Sequence, residues 1–494
     1  MRFHRSFYSI FLFFCIGYSQ VYNGYTIFSP VGTGPGSNVG GDTYLIDNQL
    51  NIINEWSYTR GAASMPYLLP DSTIFYPYRV QNPSMTAGGT GGGILKMDWE
   101  GNILWNYMVA DQDYQHHHDI QPLPNGNVLV IAWERKTAAE AFAMGRQTIE
   151  NSLNEMWSEA ILELEPVGTN DANIVWEWHL WDHMVQDVSS AYPNYGVIAD
   201  HPELFDINFG NVGANQGPGG ANADWKHFNA IDYNAELDQI AISARHHHEI
   251  YIIDHSTTTA EAAGHEGGNS GKGGDILYRW GNPQVYDRGN ASDQQLSGQH
   301  GVNWIPEGYP GEGNLIIFNN NYELGDGVII VNESAIHEII LPMDADGNYT
   351  IDTTTAFGPS SPTWTYTGNF HSNVQSGAFR LPNGNTLITV ADDHRMFEVT
   401  NTGTIVWDYT HPGNNIMIAR AQKYSMHYLG GTGPFPNYIL GDINFDSAIN
   451  IIDVYIVMDM LENLDPYMPP ADMNGDGSLS SSDWIMIIQA IFSF

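Results

Sequence analysis

The chain has 494 residues, and its 56 Asp and Glu residues outnumber its 17 Lys and Arg residues, which gives a formal net charge of −39. This acidity argues against nucleic acid or an anionic membrane surface as a partner, because both would repel the chain. The length suits either two or three average domains, or one large repeat domain followed by a small module. An anionic small substrate would need cations placed locally in its site.

Residues 1–19 are predicted to be a secretory signal peptide. A basic start is followed by an apolar run over residues 7–16, and Gly17-Tyr18-Ser19 places small residues before the expected cleavage point. The alternative, an uncleaved membrane anchor, is disfavoured because the apolar run is too short to span a bilayer. We therefore expect a chain beginning near Gln20 that is secreted, periplasmic or at the cell surface. The only cysteine, Cys15, lies in this leader, so the mature chain is expected to have no disulfide.

A repeat of apolar strand, polar turn and apolar strand ending in Trp organises residues 20–430. Clear copies span residues 44–56, 94–105 and 396–407, and looser copies end at Trp176, Trp280 and Trp364. A second hairpin with a Leu-Pro-Asn-Gly-Asn turn is intact at residues 123–127 and 381–385. Two hairpins make a four-stranded sheet, so six copies predict an all-β, six-bladed β-propeller with insertions. A β-sandwich or an open stack of hairpins is the alternative, and closure into a ring is favoured because it leaves only short, protected edges.

The largest insertion is expected at about residues 137–224. Residues 138–163 have helical composition and periodicity, whereas residues 192–220 are rich in Gly, Pro, Asn and aromatic residues. The insertion is interpreted as a lid over one face of the propeller, with a surface decoration as the alternative, because it ends directly before Trp225-Lys226-His227.

Three histidines precede a turn by the same distance in three repeats. His118, His227 and His300 each lie six positions before the turn residue. Because strand side chains alternate between faces, equal spacing predicts that the three imidazoles point the same way. The alternative is a structural role for any one of them. His116–His118 and His246–His248 are runs of three histidines, so the sequence leaves open which histidine of each run is active.

Asn229 and Arg245 are predicted to join these histidines. The stretch from His227 to Arg245 is predicted to form a hairpin, so both of its ends are expected at the same opening of the propeller. A neutral His serves as nucleophile or proton carrier, and Arg offers a planar fork of donors to an oxyanion. A metal site is the alternative, and the fixed charge of Arg245 argues against it.

Residues 431–440 have the composition of a linker, and two copies of one calcium loop follow. Each copy places oxygen-bearing side chains at positions one, three, five, nine and twelve before an apolar helix, a spacing that wraps oxygens around Ca²⁺. The predicted ligands are Asp442, Asn444, Asp446, Asn450 and Asp453 in the first loop, and Asp472, Asn474, Asp476, Ser480 and Asp483 in the second. With Gly441-Asp442-Ile443-Asn444 and Asp472-Met473-Asn474 as they stand, residues 441–494 resemble a type I dockerin. The resemblance implies a small α-helical module that docks a cohesin-like protein.

The propeller region resembles the bacterial arylsulfate sulfotransferases, which are six-bladed propellers. The motifs that carry the resemblance are His118-Asp119-Ile120, His227-Phe228-Asn229 with Ser243-Ala244-Arg245-His246, and Gln299-His300. The resemblance implies an enzyme that uses no nucleotide sulfate donor and moves a sulfuryl group from an aryl sulfate to a phenol through a sulfated histidine. It implies His300 as the nucleophile, with His118, His227, Asn229 and Arg245 binding sulfuryl oxygens or handling the phenol proton.

Two other functions remain open from the residues alone. One is a non-catalytic binding or scaffolding propeller displayed through its dockerin. The other is an aryl sulfate hydrolase, in which water accepts the sulfuryl group.

Overall fold

The structure is a computed structural model. It describes residues 21–33, 41–217, 219–324, 328–329, 333–344, 347–351, 354–426, 428–429, 441, 449–463, 471 and 480–492. The predicted leader, the predicted linker and six of the ten predicted calcium ligands lie outside the described residues. Those six are Asp442, Asn444, Asp446, Asp472, Asn474 and Asp476.

The described residues contain 28 strands and four α-helices. The strands of the first half are β1 (Gly24–Gly32), β2 (Gly41–Ile46), β3 (Ile52–Tyr58), β4 (Tyr67–Leu68), β5 (Ile74–Arg79), β6 (Gly92–Met97), β7 (Ile103–Met108), β8 (Tyr114–Pro122), β9 (Val128–Thr137), β10 (Glu155–Val167), β11 (Asp171–His179), β12 (Met184–Val185), β13 (Phe205–Asp206) and β14 (Phe228–Asn234). The strands of the second half are β15 (Gln239–Ala244), β16 (Glu249–Asp254), β17 (Tyr278–Trp280), β18 (His300–Trp304), β19 (Leu315–Asn319), β20 (Glu323–Leu324), β21 (Val328–Ile329), β22 (Ala335–Ile339), β23 (Trp364–Tyr366), β24 (Gly377–Arg380), β25 (Thr386–Val390), β26 (Arg395–Val399), β27 (Ile405–Thr410) and β28 (Ile416–Ser425). The helices are α1 (Ala138–Ala143), α2 (Thr259–Ala262), α3 (Ile451–Asn463) and α4 (Ser481–Phe492).

The strands form six antiparallel four-stranded sheets, which confirms the predicted six-bladed propeller. Five blades follow the chain in order, as β4 to β7, β8 to β11, β14 to β17, β18-β19-β22-β23 and β24 to β27. The remaining blade is assembled from both ends of the propeller, because β28 pairs with β1 and completes the sheet β28-β1-β2-β3. Apolar side chains of neighbouring blades meet between the sheets, so that each of the six blade interfaces has its own buried cluster.

The repeated Trp of each outer strand links its blade to the next one. Each indole N–H donates to the turn between the third and fourth strands of the following blade, over 2.7 to 3.1 Å. The donors Trp56, Trp105, Trp176, Trp280, Trp364 and Trp407 meet, in that order, Asp98 O, Asp171 O, Thr257 Oγ1, Pro359 O, Asn401 O and Asn48 O. The sixth bond, from Trp407 to Asn48 O, returns to the first blade. The six bonds therefore form a closed ring in which each blade is linked to the next.

We expect Trp56→Phe to lower the free energy of unfolding by about 1–3 kcal/mol, because it leaves Asp98 O without its donor and removes buried volume. Trp364→Phe is the matched control: it breaks the same bond at a side chain that is only half-buried, and should cost less. Urea unfolding of the two variants measures the difference. Equal losses would contradict a role for burial in the strength of these bonds.

The predicted insertion at residues 137–224 is partly wrong. Helix α1 ends at Ala143, and residues 155–167 are a strand that pairs with β9 on one side and β11 on the other. Charged residues on this strand such as Glu159 are buried, which obscures the alternation of a strand and mimics a helical pattern. The true insertion is residues 180–224. It packs Phe205, Ile207 and Val212 into the core between two blades, so it is more than a surface decoration.

The C-terminal helices α3 and α4 confirm the helices predicted after each calcium loop. They pack through Val454, Val457 and Ile487. Asp453 and Asp483 are buried at the helix starts, where they accept backbone N–H bonds from Asn450 (2.8 Å) and Ser480 (2.9 Å). No helix of the described residues combines the length and the apolar character needed to cross a membrane.

Candidate active site

Three inner strands carry an irregularity in their pairing at or next to one of the three histidines. The pairing register shifts between His116 and Ile120 in β8, between Phe228 and Ala230 in β14, and between His300 and Val302 in β18. His118 and His227 have φ of 53° and 59°, a left-handed conformation that residues other than Gly rarely adopt. Such bulges and strained residues re-aim side chains next to functional sites.

The structure brings the three predicted histidines together. All three are buried, and one ring nitrogen of each lies within 4.8 Å of the others. The His118 ring is 4.6 Å from the ring of His227, edge to face, and 6.2 Å from that of His300. Gly89, with φ of 76°, lies against the His118 ring, where a Cβ would come within 2.0 Å of it.

The His300 ring is oriented by Asn320. His300 Nδ1 is 2.8 Å from Asn320 Oδ1, while Asn320 Nδ2 donates to Ser372 O (2.9 Å) and Gln375 O (3.2 Å). Because the Asn320 amide N–H groups are directed to those carbonyls, its oxygen faces His300 and accepts the Nδ1 proton. The lone pair of a neutral His300 is therefore on Nε2. Burial, and after it the charge of Arg245, hold the pKa of His300 well below its usual value, so the neutral form prevails.

A chain of hydrogen bonds leads from Glu159 to His118. Glu159 Oε2 is 2.9 Å from His117 Nε2, and His117 Nδ1 is 2.9 Å from His118 Nδ1. Burial, followed by the charge of Asp224, raises the pKa of Glu159 well above its usual value. A protonated Glu159 donates to His117, and His117 in turn donates to His118. We therefore assign the ring proton of His118 to Nε2, where it is available as a donor.

His227 is held by a carboxylate that the insertion supplies. Its Nδ1 bonds to Asp224 Oδ2. Burial opposes ionisation of Asp224, but the charge of His227 and this bond outweigh it and hold the pKa of Asp224 below its usual value. His246 is exposed, and its ring stacks on that of His227 at 4.6 Å. The ionised Asp224 accepts the hydrogen bond from His227 Nδ1–H and fixes the orientation of the ring.

Arg245 and Asn229 stand at the two ends of the predicted hairpin. The backbone N–H of Arg245 donates to His227 O (3.1 Å). No carboxylate of the described chain forms an ion pair with the guanidinium of Arg245. Its Nε is buried without a hydrogen-bond partner. Asn229 donates from Nδ2 to Gln299 O (2.8 Å), and its Oδ1 has no partner. In a chain of net charge −39, a half-buried and unpaired guanidinium near His300 has the chemistry that binding an anion requires.

Asp224, Glu159 and Asn320 were not identified from the sequence. Glu159 bonds to His117, the neighbour of His118, and Asn320 bonds to His300, and both partners are distant in sequence. Asp224 is only three positions from His227, and a search for acids that flank each histidine would have found it. The spacing of the three histidines alone also suits a metal ion, as does the group of Asp224, His227 and His246. The charge of Arg245 next to His300 opposes a cation there.

The comparison with protein families decides the class of this chain. Residues 76–391 match the model of the family described as arylsulfotransferase, and this segment is more than half of the chain. The chain belongs to the arylsulfotransferase family. All of the predicted propeller site residues, together with Glu159, Asp224 and Asn320, lie within the matched segment. Residues 440–492 of this arylsulfotransferase match the type I dockerin domain, which confirms the C-terminal resemblance.

Solved structures that are similar to this arylsulfotransferase have low sequence identity to it. A protein of unknown function from Bacteroides caccae is 12% identical, with a TM-score of 0.41, over 81% of this chain and 98% of that chain. Virginiamycin B lyase from Staphylococcus aureus is 13% identical, with a TM-score of 0.33, over 78% of this chain and 86% of that chain. No curated protein matches the chain.

A cavity of about 700 Å³ opens at the other mouth of the arylsulfotransferase propeller, where the inner strands end. Its lining includes Tyr67, Asp232 and Arg420 but none of the three histidines. The buried ion pair of Arg420 with Asp119, the residue after His118, lies between the cavity and the histidines, and Tyr67 also donates to Asp119 (2.9 Å).

The buried His116 should make the stability of the protein depend on pH. Burial lowers its pKa to about 3, whereas an unfolded chain would titrate near the usual value of about 6.5. Below that value the unfolded state takes up a proton that the native state does not, so the free energy of unfolding falls as pH falls, by up to about 1.4 kcal/mol per pH unit.

The test compares the wild type with His116→Gln. The Gln oxygen can accept the Gly92 N–H that His116 Nδ1 accepts at 2.9 Å. Urea unfolding between about pH 6.5 and about pH 5.5 should show a wild-type slope steeper by roughly 1 kcal/mol per pH unit. Parallel pH curves would contradict this expectation.

Proposed function

We propose that the chain is an aryl-sulfate sulfotransferase that moves a sulfuryl group from a phenolic sulfate ester to a phenol through a sulfohistidine on His300. The observation that carries the proposal is the unpaired guanidinium of Arg245 beside His300, whose Nδ1 is engaged with Asn320 so that Nε2 holds the lone pair. Membership of the arylsulfotransferase family supports a sulfotransferase role.

In the first half-reaction, His300 Nε2 attacks the sulfur, an N–S bond forms and the bond from sulfur to the aryl oxygen breaks. Charge develops on the sulfuryl oxygens and on the departing oxygen. Arg245 and His227, which Asp224 orients, bind the sulfuryl oxygens, and Asn229 helps to position them.

The proton for the departing phenolate comes from His118 Nε2. As His118 releases this proton, its Nδ1 receives one from His117, which is replenished by Glu159. In the second half-reaction the acceptor phenol occupies the place of the departed phenol, and by microscopic reversibility His118 takes its proton. The phenol oxygen then attacks the sulfur, the N–S bond breaks, and the relay returns to its starting state. The cycle uses no nucleotide sulfate donor.

The proposal is tested with a chromogenic aryl sulfate, assayed with and without a phenol acceptor. Release of the coloured phenol only with acceptor, and sulfation of that acceptor, are the expected results. Release without acceptor at the same rate would indicate an aryl sulfate hydrolase, and no release with a panel of aryl sulfates would favour a binding or scaffolding propeller.

Dockerin domains bind calcium and dock cohesins, and they are generally extracellular. We propose that this domain binds Ca²⁺ through the ten predicted ligands, joins the propeller to a cohesin-like protein, and that the chain is exported by its leader. The position of Asn450, Asp453, Ser480 and Asp483 at the starts of α3 and α4 supports this proposal.

Removal of calcium with a calcium-selective chelator is expected to unfold the dockerin and leave aryl sulfate turnover unchanged. Several carboxylates gather in each loop, and only the ion relieves their repulsion. Far-ultraviolet circular dichroism should lose helical signal, while the propeller assay stays constant. If turnover is lost and is restored by calcium, the proposal would have to include a metal in the propeller.

A further inference from the structure

A second cluster of metal-ligating side chains lies away from the proposed active site. Within the described parts of the chain, three groups of such residues have donor atoms within 4.8 Å of one another, and two of the groups share His227. The third consists of His183, His265 and Asp275. His183 belongs to the insertion, and the other two flank the glycine-rich segment that follows α2.

The contacts of His183 call for a proton or a metal ion between its ring and Asp275. Its Nε2 is 2.8 Å from Ala262 O, and its Nδ1 is 2.8 Å from Asp275 Oδ1. A carbonyl oxygen only accepts hydrogen bonds, so Nε2 carries the ring proton. In a neutral imidazole the lone pair on Nδ1 then faces a carboxylate oxygen, and two electron-rich atoms at this distance repel each other. Either a second proton or a metal ion must lie between them.

His265 adds a second nitrogen to the same position. Its Nδ1 is 2.8 Å from the same Asp275 Oδ1, and its ring is nearly perpendicular to that of His183, at 86°. Two N–H groups, one on each ring, could satisfy both contacts, and one ion held jointly would satisfy them as well; the convergence of three donor atoms on one position is the arrangement that an ion site requires. Two imidazole nitrogens and one carboxylate oxygen are a donor set that Zn²⁺ and similar ions accept.

The surroundings of His183 are those of an oriented ligand. Metal-bound histidines usually donate their other N–H to a carboxylate or a backbone carbonyl, as His183 does to Ala262 O. The ring is fully buried and stacks on Trp178 with an interplanar angle of 6°, and Trp178 donates to Gly274 O (2.7 Å). The His265 side chain is 60% exposed, which gives an ion a path of entry and leaves a coordination position for water.

We propose that His183, His265 and Asp275 bind one divalent transition-metal ion of the zinc type, and that this ion fastens the insertion to the segment after α2. The insertion also delivers Asp224 to His227, so the ion would stabilise the fold that supports the site without entering the reaction. No arginine or lysine of the described chain forms an ion pair with Asp275, so no fixed positive charge competes with an ion there. The site of His300 differs, because the charge of Arg245 acts on it.

The test uses the full chain with its calcium retained. Protein stripped of transition metal by a nitrogen-ligand chelator is titrated with Zn²⁺, the bound metal is counted by elemental analysis, and Co²⁺ is used as a coloured substitute whose visible spectrum reports imidazole ligands. The variants are His265→Ala, Asp275→Asn and, as the matched control, His201→Ala. His201 is a partly exposed histidine of the same insertion that bonds Glu203 (2.9 Å) and lies outside the cluster.

We expect the wild type and His201→Ala to bind one Zn²⁺ and to melt at a higher temperature with it, and we expect His265→Ala and Asp275→Asn to bind it more than about tenfold more weakly. Because His265 is exposed, His265→Ala should fold normally. The proposal is overturned if His265→Ala keeps the zinc and the Co²⁺ spectrum, or if His227→Ala alone removes them. Absence of zinc binding by the wild type would likewise overturn it and assign the contact to a protonated His183 paired with Asp275.

Discussion

Replacing His300 by alanine is expected to abolish sulfuryl transfer without unfolding the protein. The substitution removes the nucleophilic Nε2, and covalent catalysis has no substitute for a missing nucleophile. His300 packs mainly against polar neighbours such as Asn320, so its loss costs little apolar burial. Turnover of a chromogenic aryl sulfate measures the first effect, and thermal melting measures the second.

The intermediate itself gives a more direct measurement. Protein quenched during turnover should carry an acid-labile mass gain of one sulfuryl group on the peptide that contains Gln299-His300-Gly301. His116→Gln is the matched control, because it removes a buried histidine that has no part in the proposed reaction, and it should retain both turnover and the labelled peptide. An unmodified His300 peptide, together with turnover by His300→Ala, would contradict the sulfohistidine mechanism. It would favour a non-catalytic propeller that binds or scaffolds.

Arg245→Lys is expected to slow transfer by roughly a hundredfold to a thousandfold, as measured for the loss of one preorganised oxyanion donor. Lysine keeps the positive charge, but it offers a point charge where arginine offers two parallel donors in a fixed plane. The unpaired state of Arg245 matters here, since its donors are not already committed to a carboxylate.

The effect should appear chiefly in kcat, because charge on the sulfuryl oxygens grows in the transition state. Arg395→Lys is the matched control: Arg395 pairs with Asp408 on the surface of β26 and β27, and its replacement should leave kcat unchanged. A rate for Arg245→Lys within about threefold of the wild type would show that charge alone suffices, contrary to the proposed bidentate role.

The propeller was predictable because each repeat is defined by residues that lie close together in the sequence. A Trp at the end of a strand recurs in each blade, Gly-containing turns recur in several of them, and the structure shows that each such Trp bonds to the following blade. The convergence of His118, His227 and His300 also followed from local spacing, since strand periodicity translates distance from a turn into direction. Their catalytic roles remain predictions.

The partners of those histidines could not be predicted in the same way. Glu159 and Asn320 reach His117 and His300 from other strands or blades, and pairings over such distances leave no periodic pattern in the chain. The strand from Glu155 to Val167 was mistaken for a helix for a related reason. Its buried acids serve polar networks inside the blade, so the usual alternation of apolar and polar residues does not mark it as a strand.

The pairing of β28 with β1 has a consequence for how the molecule is made. Gly24 lies opposite Ser425 and Gly32 opposite Ile416, so the first blade stays without its inner strand until almost the whole propeller has been synthesised. Until then β1 is an open edge that invites pairing with other chains, and contacts so distant in sequence form slowly. A chain interrupted shortly before Ile416 should therefore contain the sequence of five complete blades and still aggregate.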